Sequence, residues 1–339
     1  MGIVILNYTN GSYPRDRESM LLLLISLLIA FYIAWSIGSN DETMATLAGS
    51  GFISITLAAI IGALMDFLGA TLMGYTVEKT IGKELITGSM SLLDVCIILL
   101  AVATWLVLGS YRGWPISTTH SAVGAAIGLG VLKFGLSGVR WESLAKVVLG
   151  WVISPIVGLV GSMLFYYLAS RIINPRIKGL RGIIKLSRYS SILLLIWTSY
   201  TAFFRGANDI ANATAFLSAL HGQSILLRMM CGAGMALGLL VVGRRVIRSV
   251  GVQLVELNPF SALCVQVSVA ITLSVGTLLG LPLSGTHVLV SAILGIGLIR
   301  RTWINLSGIL EIFLTWIITF PSSALLSIAF SLLANYFVS

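Results

Sequence analysis

Two polar motifs recur in the two halves of an otherwise apolar chain. Asn40-Asp41, preceded by Gly38-Ser39, returns as Asn208-Asp209, preceded by Gly206-Ala207, at an offset of 168 residues (206 minus 38). An Asp carboxylate beside Asn and backbone carbonyls suits a hard monovalent cation such as sodium, and an Asn amide also donates to anion oxygens. The alternative is a helix cap, since Asn and Asp are favoured at helix starts. Because the motif occurs twice, each time beside a charge-free apolar segment, we favour a functional site.

The second repeated motif carries hydroxyl groups. Pro115-Ile116-Ser117-Thr118-Thr119-His120 returns as Pro282-Leu283-Ser284-Gly285-Thr286-His287, at an offset of 167 residues (282 minus 115). Each copy follows a Gly-X-Pro stop and opens a new apolar segment, so hydroxyls and free backbone N–H groups gather at a helix N-terminus, which attracts anions. Ordinary capping by Ser or Thr is the alternative. We predict a site for a tetrahedral oxyanion formed by Ser117, Thr118, Thr119, Ser284 and Thr286.

Two histidines and one acidic residue accompany these motifs. His120 and His287 occupy equivalent positions, but neither has a carboxylate or a second His at the spacing of a metal-binding helix, so we expect them to orient the hydroxyl tip. Asp66 lies in the middle of an apolar segment, where a carboxyl group either pairs with a cation or stays protonated. We predict a coupling or gating role for Asp66.

Composition identifies the class of protein. Of the 339 residues 57% are hydrophobic and 10% are charged, and the mean hydropathy is +1.00, which is typical of a polytopic helical membrane protein. The apolar runs are too long and continuous for barrel strands. The net charge of +9 does not indicate nucleic acid, because a cytoplasmic linker explains six basic residues between the halves: Arg171, Arg176, Lys178, Arg181, Lys185 and Arg188.

The apolar segments divide equally between the two halves. Those of the first half are Met20 to Ile37, Phe52 to Tyr75, Ser91 to Gly109, Ser117 to Val131 and Leu144 to Ala169. Those of the second half are Tyr189 to Phe204, Ile225 to Val242, Phe260 to Leu281, Leu283 to Ile299 and Leu306 to Val338. An odd number per half makes the second half enter the membrane from the opposite side, so the repeats are inverted. Pro155 and Pro321 are candidate breaks in the last segment of each half.

These segments predict an all-α polytopic membrane protein with two inverted-topology repeats of about five segments each. Ser117 to Val131 is shorter than the roughly 20 residues that span a bilayer, so we expect broken helices or re-entrant hairpins at the midplane. We divide the chain into an extracytoplasmic N-terminal segment (1–19), a first inverted repeat (20–170), a basic cytoplasmic linker (171–188) and a second inverted repeat (189–339).

Charge predicts the orientation in the membrane. With the basic linker cytoplasmic, both termini are extracytoplasmic. The loop with Lys79 and Lys83, offset by Glu78 and Glu84, also lies outside. The same orientation places six further arginines on cytoplasmic loops: Arg112, Arg244, Arg245, Arg248, Arg300 and Arg301.

One motif has the form of a known family signature. Gly206-Ala207-Asn208-Asp209-Ile210-Ala211-Asn212-Ala213 closely resembles the signature of the inorganic phosphate transporter (PiT) family, and Pro115 to His120 and Pro282 to His287 resemble its paired hydroxyl-rich motifs. The likeness covers nearly the whole chain. It implies a phosphate symporter built from inverted repeats, often a homodimer, that is driven by sodium in one branch of the family and by protons in another.

Carried over by motif, the resemblance implies a sodium and phosphate cluster of Asn40, Asp41, Asn208, Asp209 and Asn212, with the five hydroxyl residues donating to phosphate. We assign phosphate to Asn40 and Asn208, and cations to Asp41, Asp209 and Asn212, with Na+ at the two aspartates. The first copy departs from the family pattern, because Glu42-Thr43-Met44-Ala45 stands where a second Asn is usual. Either Glu42 or Thr46 replaces the missing cation ligand, or the number of coupled ions differs.

The predicted function is secondary active import of inorganic phosphate across the plasma membrane by alternating access. The coupling ion is Na+, with H+ as the alternative, and no other cofactor is expected. An enzyme is disfavoured because no set of nucleophile, base and orienting group is visible. Two alternatives stay open: the same mechanism for another tetrahedral oxyanion such as sulfate, and a passive anion channel.

Overall fold

The computed structural model describes residues 17–78, 85–221, 224–281 and 283–338, which are mostly helical. The helices of the first half are α1 (Arg17–Ser39), α2 (Ala45–Gly49), α3 (Ile55–Met73), α4 (Leu92–Arg112), α5 (Thr118–Phe134) and α6 (Trp141–Ile173). Those of the second half are α7 (Gly179–Asp209), α8 (Ala211–His221), α9 (Ile225–Gly238), α10 (Arg244–Gln253), α11 (Pro259–Leu278), α12 (Gly285–Arg300) and α13 (Leu306–Val338). Residues 1–16, the predicted outer loop at Lys79, Lys83 and Glu84, and Pro282 lie outside the described residues.

Several helices have the length and composition of membrane spans. Within the described residues six qualify: Ile55–Met73, Leu92–Arg112, Trp141–Arg176, Ile225–Gln253, Pro259–Leu278 and Leu306–Tyr336. By contrast, α5 and α12, which open in the hydroxyl motifs, have only 17 and 16 residues. Each packs against the preceding long helix, α4 or α11. The predicted all-α membrane fold is confirmed, and each hydroxyl motif forms the tip of a helical hairpin.

The two halves pack together in a symmetric pattern. The short helix α5 lies against α13 of the second half, and its counterpart α12 lies against α6 of the first half. Likewise α1 packs on α4 and α9, whereas α7 packs on α11 and α3. Each half therefore supplies its last long helix to the hairpin of the other half, and neither hairpin is enclosed by its own half alone.

Neither proline breaks its helix. α6 continues through Pro155 and α13 continues through Pro321. A proline leaves the carbonyl four residues earlier without its intrahelical donor, which for Pro155 is the carbonyl of Trp151. The imidazole of His287, on the neighbouring α12, hydrogen-bonds the backbone of Trp151. At Pro155 a neighbouring helix therefore supplies a donor where the helix itself lacks one.

The basic stretch between the halves is largely helical. α6 runs to Ile173 and α7 starts at Gly179, so that only residues 174–178 separate them, and part of this segment is a 3-10 turn. In the same way, the arginines predicted on a loop at 244–248 lie on α10. Lys and Arg are good helix formers, so these helices continue beyond the apolar segments that hydropathy delimits.

Two glycines permit close helix crossings beside the Asn-Asp motifs. Gly38 lies against the backbone of Met235, and Gly206 lies against the backbone of Asp66. A Cβ atom at either position would overlap a carbonyl oxygen. The glycine of each motif therefore brings α1 against α9 and α7 against α3 at equivalent places.

We expect Gly206→Ala to lower the free energy of unfolding, because overpacking a tight contact costs about 1–3 kcal/mol. Gly150→Ala is the matched control, since a Cβ there meets only Leu283 Cδ2, at 3.8 Å. The measurement is the melting temperature of the purified protein in detergent. Equal melting temperatures for the two variants would contradict the close crossing.

Candidate functional site

The first Asn-Asp motif lies in a break between α1 and α2. Residues 40–44, which separate these two helices, are not helical. Asp41 Oδ1 accepts a hydrogen bond from the backbone N of Thr43 at 2.6 Å, a local bond that competes with helix formation. Asp41 Oδ2 is buried and has no hydrogen-bond partner within the described part of the chain. The first copy is therefore unwound, and one carboxylate oxygen is free to bind a ligand.

The second Asn-Asp motif remains helical. Gly206 to Asp209 form the last turn of α7, and only Ile210 separates α7 from α8. Arg205 Nε donates to Asp209 Oδ2 at 3.2 Å, one helical turn along. Unlike the first copy, this copy does not unwind, and Asp209 pairs with a side chain of its own helix.

A buried arginine joins the two motifs. Arg205 is 3% exposed, and its Nη1 and Nη2 donate to Glu42 Oε1 and Oε2 at 2.6 and 3.1 Å. Its Nε lies 3.7 Å from Asp41 Oδ1, and Nη2 also donates to Thr286 Oγ1 at 3.2 Å. One guanidinium thus contacts three carboxylates, and both predicted sodium ligands, Asp41 and Asp209, face it.

Arg205 is not among the residues predicted from the sequence, although the repeat contains a signal for it. At the offset of 168 residues, Arg205 corresponds to Ile37 and Glu42 corresponds to Ile210. Each position is apolar in one repeat and charged in the other, and the two charges are opposite. Two opposite charges that each have an apolar counterpart in the other repeat indicate an ion pair between the repeats.

Asn40 and Asn208 hold the turns that precede the hydroxyl motifs. Asn40 Nδ2 donates to the carbonyl of Trp114 at 2.8 Å, and its Oδ1 accepts from the backbone N of Ile116 at 2.9 Å. Asn208 Nδ2 donates to the carbonyl of Leu281 at 3.0 Å. Both predicted phosphate residues therefore bind the backbone of the hairpin tips in this conformation.

Ser117 and Ser284 act as helix caps. Ser117 Oγ accepts from the backbone N of His120 at 3.2 Å, and Ser284 Oγ accepts from the backbone N of His287 at 3.3 Å. The capping alternative is thus realised at both positions. Because a hydroxyl that accepts one bond still has its own proton, each serine can also donate to a ligand.

The two hydroxyl motifs meet tip to tip through reciprocal bonds. Thr119 Oγ1 donates to the carbonyl of Leu283 at 3.1 Å, and the equivalent Thr286 Oγ1 lies 3.4 Å from the carbonyl of Ile116, which accepts its bond. Thr118 is buried in the first turn of α5. The fold therefore brings the predicted oxyanion residues of both halves together at the start of two helices.

Asp66 extends the acidic cluster. Its side chain on α3 is fully buried, and its carboxyl group lies within hydrogen-bonding range of that of Asp41. Neither oxygen of Asp66 has a hydrogen-bond donor among the residues described. Two carboxyl groups that face each other in this way require a shared proton or a cation.

The remaining predicted cation ligands flank this cluster. Thr46 Oγ1 accepts from Gln266 Nε2 at 2.6 Å, and Asn212 Nδ2 donates to the carbonyl of Asp209 at 3.1 Å. Asn212 Oδ1, Gln266 Oε1 and Thr43 Oγ1 are buried without a partner in the described part of the chain. Gln266, a lone amide in an apolar helix, is not among the residues predicted from the sequence. Buried oxygens without donors are suited to a cation.

His120 and His287 pack as aromatic residues. Their ring centroids are 4.5 Å apart, and they lie 3.7 Å from the ring of Trp151 and 3.8 Å from that of Trp316, respectively. His287 bonds the backbone of Trp151, and neither nitrogen of the His120 ring has a partner among the described residues. The rings thus face tryptophans and each other, and their role in orienting the hydroxyl tip stays a prediction.

Hairpin tips that meet a buried ionic cluster inside a helical membrane protein are typical of a transporter. The profile of the phosphate transporter family matches residues 37–187 and 181–327. The chain belongs to this family, and the family assignment made from the motifs is confirmed.

Individual relatives agree with this assignment. The chain is 31% identical to a provisionally named phosphate permease of Chlamydia pneumoniae, over 91% of this chain and 97% of the relative. It is 29% identical to inorganic phosphate transporter 2-1, chloroplastic, of Arabidopsis thaliana, over 93% and 72% of the two chains. A solved structure, described as the sodium-dependent phosphate transporter, matches with a TM-score of 0.83 at 26% identity, over 94% of this chain and 100% of that one.

We expect Asn40→Ala to destabilise the first hairpin, because it removes the partner of the buried N–H of Ile116 and of the carbonyl of Trp114, at a cost of about 1–3 kcal/mol. The exposed Asn174→Ala is the control. Thermal unfolding in detergent provides the measurement. If Asn40→Ala melts at the temperature of the control, Asn40 does not hold the tip.

Proposed function

We propose that this protein imports inorganic phosphate by sodium-coupled alternating access. The observation that supports the proposal is one buried junction where the starts of α5 and α12 meet the Asn-Asp motifs. There, hydroxyl donors lie beside the carboxyl groups of Asp41, Glu42, Asp66 and Asp209, with Arg205 between them. Donors for an anion and oxygens for a cation thus lie within one site, as coupled transport requires.

The phosphate ligands in this proposal are Ser117, Thr118, Thr119, Ser284 and Thr286, with Asn40 and Asn208. Hydroxyls and helix N-termini bind a tetrahedral anion without a permanent salt bridge to each oxygen, which allows release. Hydrogen phosphate can also donate a hydrogen bond to a carboxylate, which sulfate at neutral pH cannot do. The carboxyl groups nearby therefore favour phosphate over sulfate.

The cation ligands in this proposal are Asp41, Asp209, Asn212 and Thr46, and Asp66 and Glu42 couple or gate. Like charges repel strongly in a buried site, so a divalent anion meets an unfavourable field from these carboxylates. Sodium bound at Asp41 and Asp209 lowers that repulsion. Coupling is then electrostatic, because each ion is bound more tightly when the other is present.

We further propose how the protein lies in the plasma membrane. Residues 20–170 and 189–339 form inverted repeats, the basic residues of 171–188 face the cytoplasm, both termini face outward, and two copies form a homodimer. The packing of α6 on α12 and of α13 on α5, each on the hairpin of the opposite half, supports the proposal that the two halves are repeats. Alternating access follows if one hairpin and the long helix packed on it move against the other hairpin and its long helix.

The test is uptake of labelled phosphate into proteoliposomes under an inward sodium gradient, an inward proton gradient, or neither. We expect uptake that follows the sodium gradient and resists an excess of unlabelled sulfate. Uptake with the proton gradient alone would make H+ the coupling ion. Uptake indifferent to both gradients would indicate a channel, and equal competition by sulfate would overturn the phosphate assignment.

We expect Asp209→Asn to reduce sodium-driven uptake by at least about tenfold, because it removes a charge that the coupling cation needs. Glu142→Gln, at an exposed position in the first turn of α6, is the control for loss of an acidic residue. Initial rates are compared at equal amounts of reconstituted protein. Wild-type uptake by Asp209→Asn would refute the role of this carboxylate.

A further inference from the structure

Arg205 and Glu42 form an ion pair that has no charged counterpart at the equivalent positions of the other repeat. Ile37 and Ile210 stand at the positions equivalent to Arg205 and Glu42. If the two repeats carried the same residues there, both pairs would be apolar or both would be charged. Instead, the first half carries the acid and the second half carries the base. The pair therefore crosses from one repeat to the other, inside the proposed transport site.

The guanidinium lies at the boundary between the cation side and the anion side of that site. Its Nη1 and Nη2 bind both oxygens of Glu42, which follows the end of α1. On the other side, Nη2 reaches Thr286 Oγ1, one of the proposed phosphate ligands. Gly285, in the same tip, has no side chain, and a Cβ there would lie 3.2 Å from Arg205 Nε. The arginine is thus already in contact with the hydroxyl tip.

We propose that Arg205 is a phosphate ligand that Glu42 holds when the site is free of phosphate, an inference that rests on the proposed function. Phosphate bound at the tip competes with Glu42 for the same guanidinium. An arginine fork binds carboxylate and phosphate oxygens with the same bidentate geometry. The exchange therefore replaces one pair of charge-assisted hydrogen bonds by another without breaking the site.

This exchange links phosphate to the cation. When phosphate takes the guanidinium, Glu42 becomes a buried carboxylate that has lost its bidentate partner, which is costly unless a cation replaces it. Asp41, the preceding residue, already has a free oxygen. Glu42 and Asp41 then form an additional cation position that exists only while phosphate is bound. Arg205 thereby determines the affinity for the anion, and Glu42 makes that affinity depend on sodium.

The test measures binding of labelled phosphate to the purified full-length protein, with and without sodium. Glu42→Gln removes the competitor for Arg205, and we expect phosphate to bind at least about tenfold tighter without sodium, with a weaker enhancement by sodium. The control is Glu78→Gln, which removes another buried carboxylate paired with an arginine, Arg228, at 3.3 Å. We expect this control to leave phosphate affinity unchanged.

A second variant removes both charges and gives these positions the isoleucines that Ile37 and Ile210 provide at the equivalent positions. We expect Glu42→Ile with Arg205→Ile to fold in the presence of sodium, because the ion pair is removed as a whole and Asp209, which loses its contact with Arg205 Nε at 3.2 Å, can take up a cation or a proton. Its phosphate affinity should fall about tenfold to a hundredfold, because the charged donor is gone. This variant decides the question if Glu42→Gln is unstable.

Two results separate this inference from the proposed function. If the wild-type protein binds and transports phosphate but the double variant and Glu42→Gln keep its phosphate affinity and sodium dependence, the pair is only structural and the inference is overturned. If the wild-type protein binds no phosphate in either buffer, the proposed function itself fails.

Discussion

A positive charge buried inside an apolar protein must be surrounded by oxygen ligands, and Arg205 imposes this constraint on both halves of the chain. Its ligands come from three places: Glu42 from the break after α1, Asp209 from its own helix, and Thr286 from the tip of the second hairpin. Because one planar group binds all three, it fixes how these elements lie relative to one another. The asymmetry of the two Asn-Asp motifs follows from the same charge, since Asp209 pairs with Arg205 along a helix whereas Asp41 accepts a bond from a local backbone N–H.

The polar groups of the hairpin tips likewise find their hydrogen-bond partners inside the protein. Thr119 and Thr286 bond the backbone of the opposite tip, and Asn40 bonds the backbone of the turn before its neighbouring hairpin. Apolar surroundings offer these groups no water, so each tip takes its hydrogen-bond partners partly from its own half, through Asn40 or Asn208, and partly from the opposite tip. These bonds between the tips link the two halves, as does the packing of α6 and α13 against the hairpin of the opposite half.

Prediction from the sequence succeeded where a pattern is local. Long apolar runs indicated the helices, and the spacing of Ser117 and Ser284 after Gly-X-Pro indicated two helix starts, both of which the structure contains. It failed where the outcome depends on residues distant in sequence. His287 on α12 bonds a carbonyl of α6 that Pro155 leaves without its helical donor, and this contact leaves no signal in the segment that contains His287. Gln266 was overlooked because a lone amide in an apolar helix has no periodic signature.

The sequence by itself determined the membrane class, the duplication, the family and the residues that carry hydroxyl, amide and carboxyl groups, because composition and motif spacing are properties of the chain alone. Only the tertiary structure decided which of these groups meet. The contact between Arg205 and Glu42 joins residues 163 positions apart, and it forms because burial removes both charges from water, so that each requires an opposite charge nearby. A one-dimensional pattern records the two charges, but only the packed helices bring them within 2.6 Å.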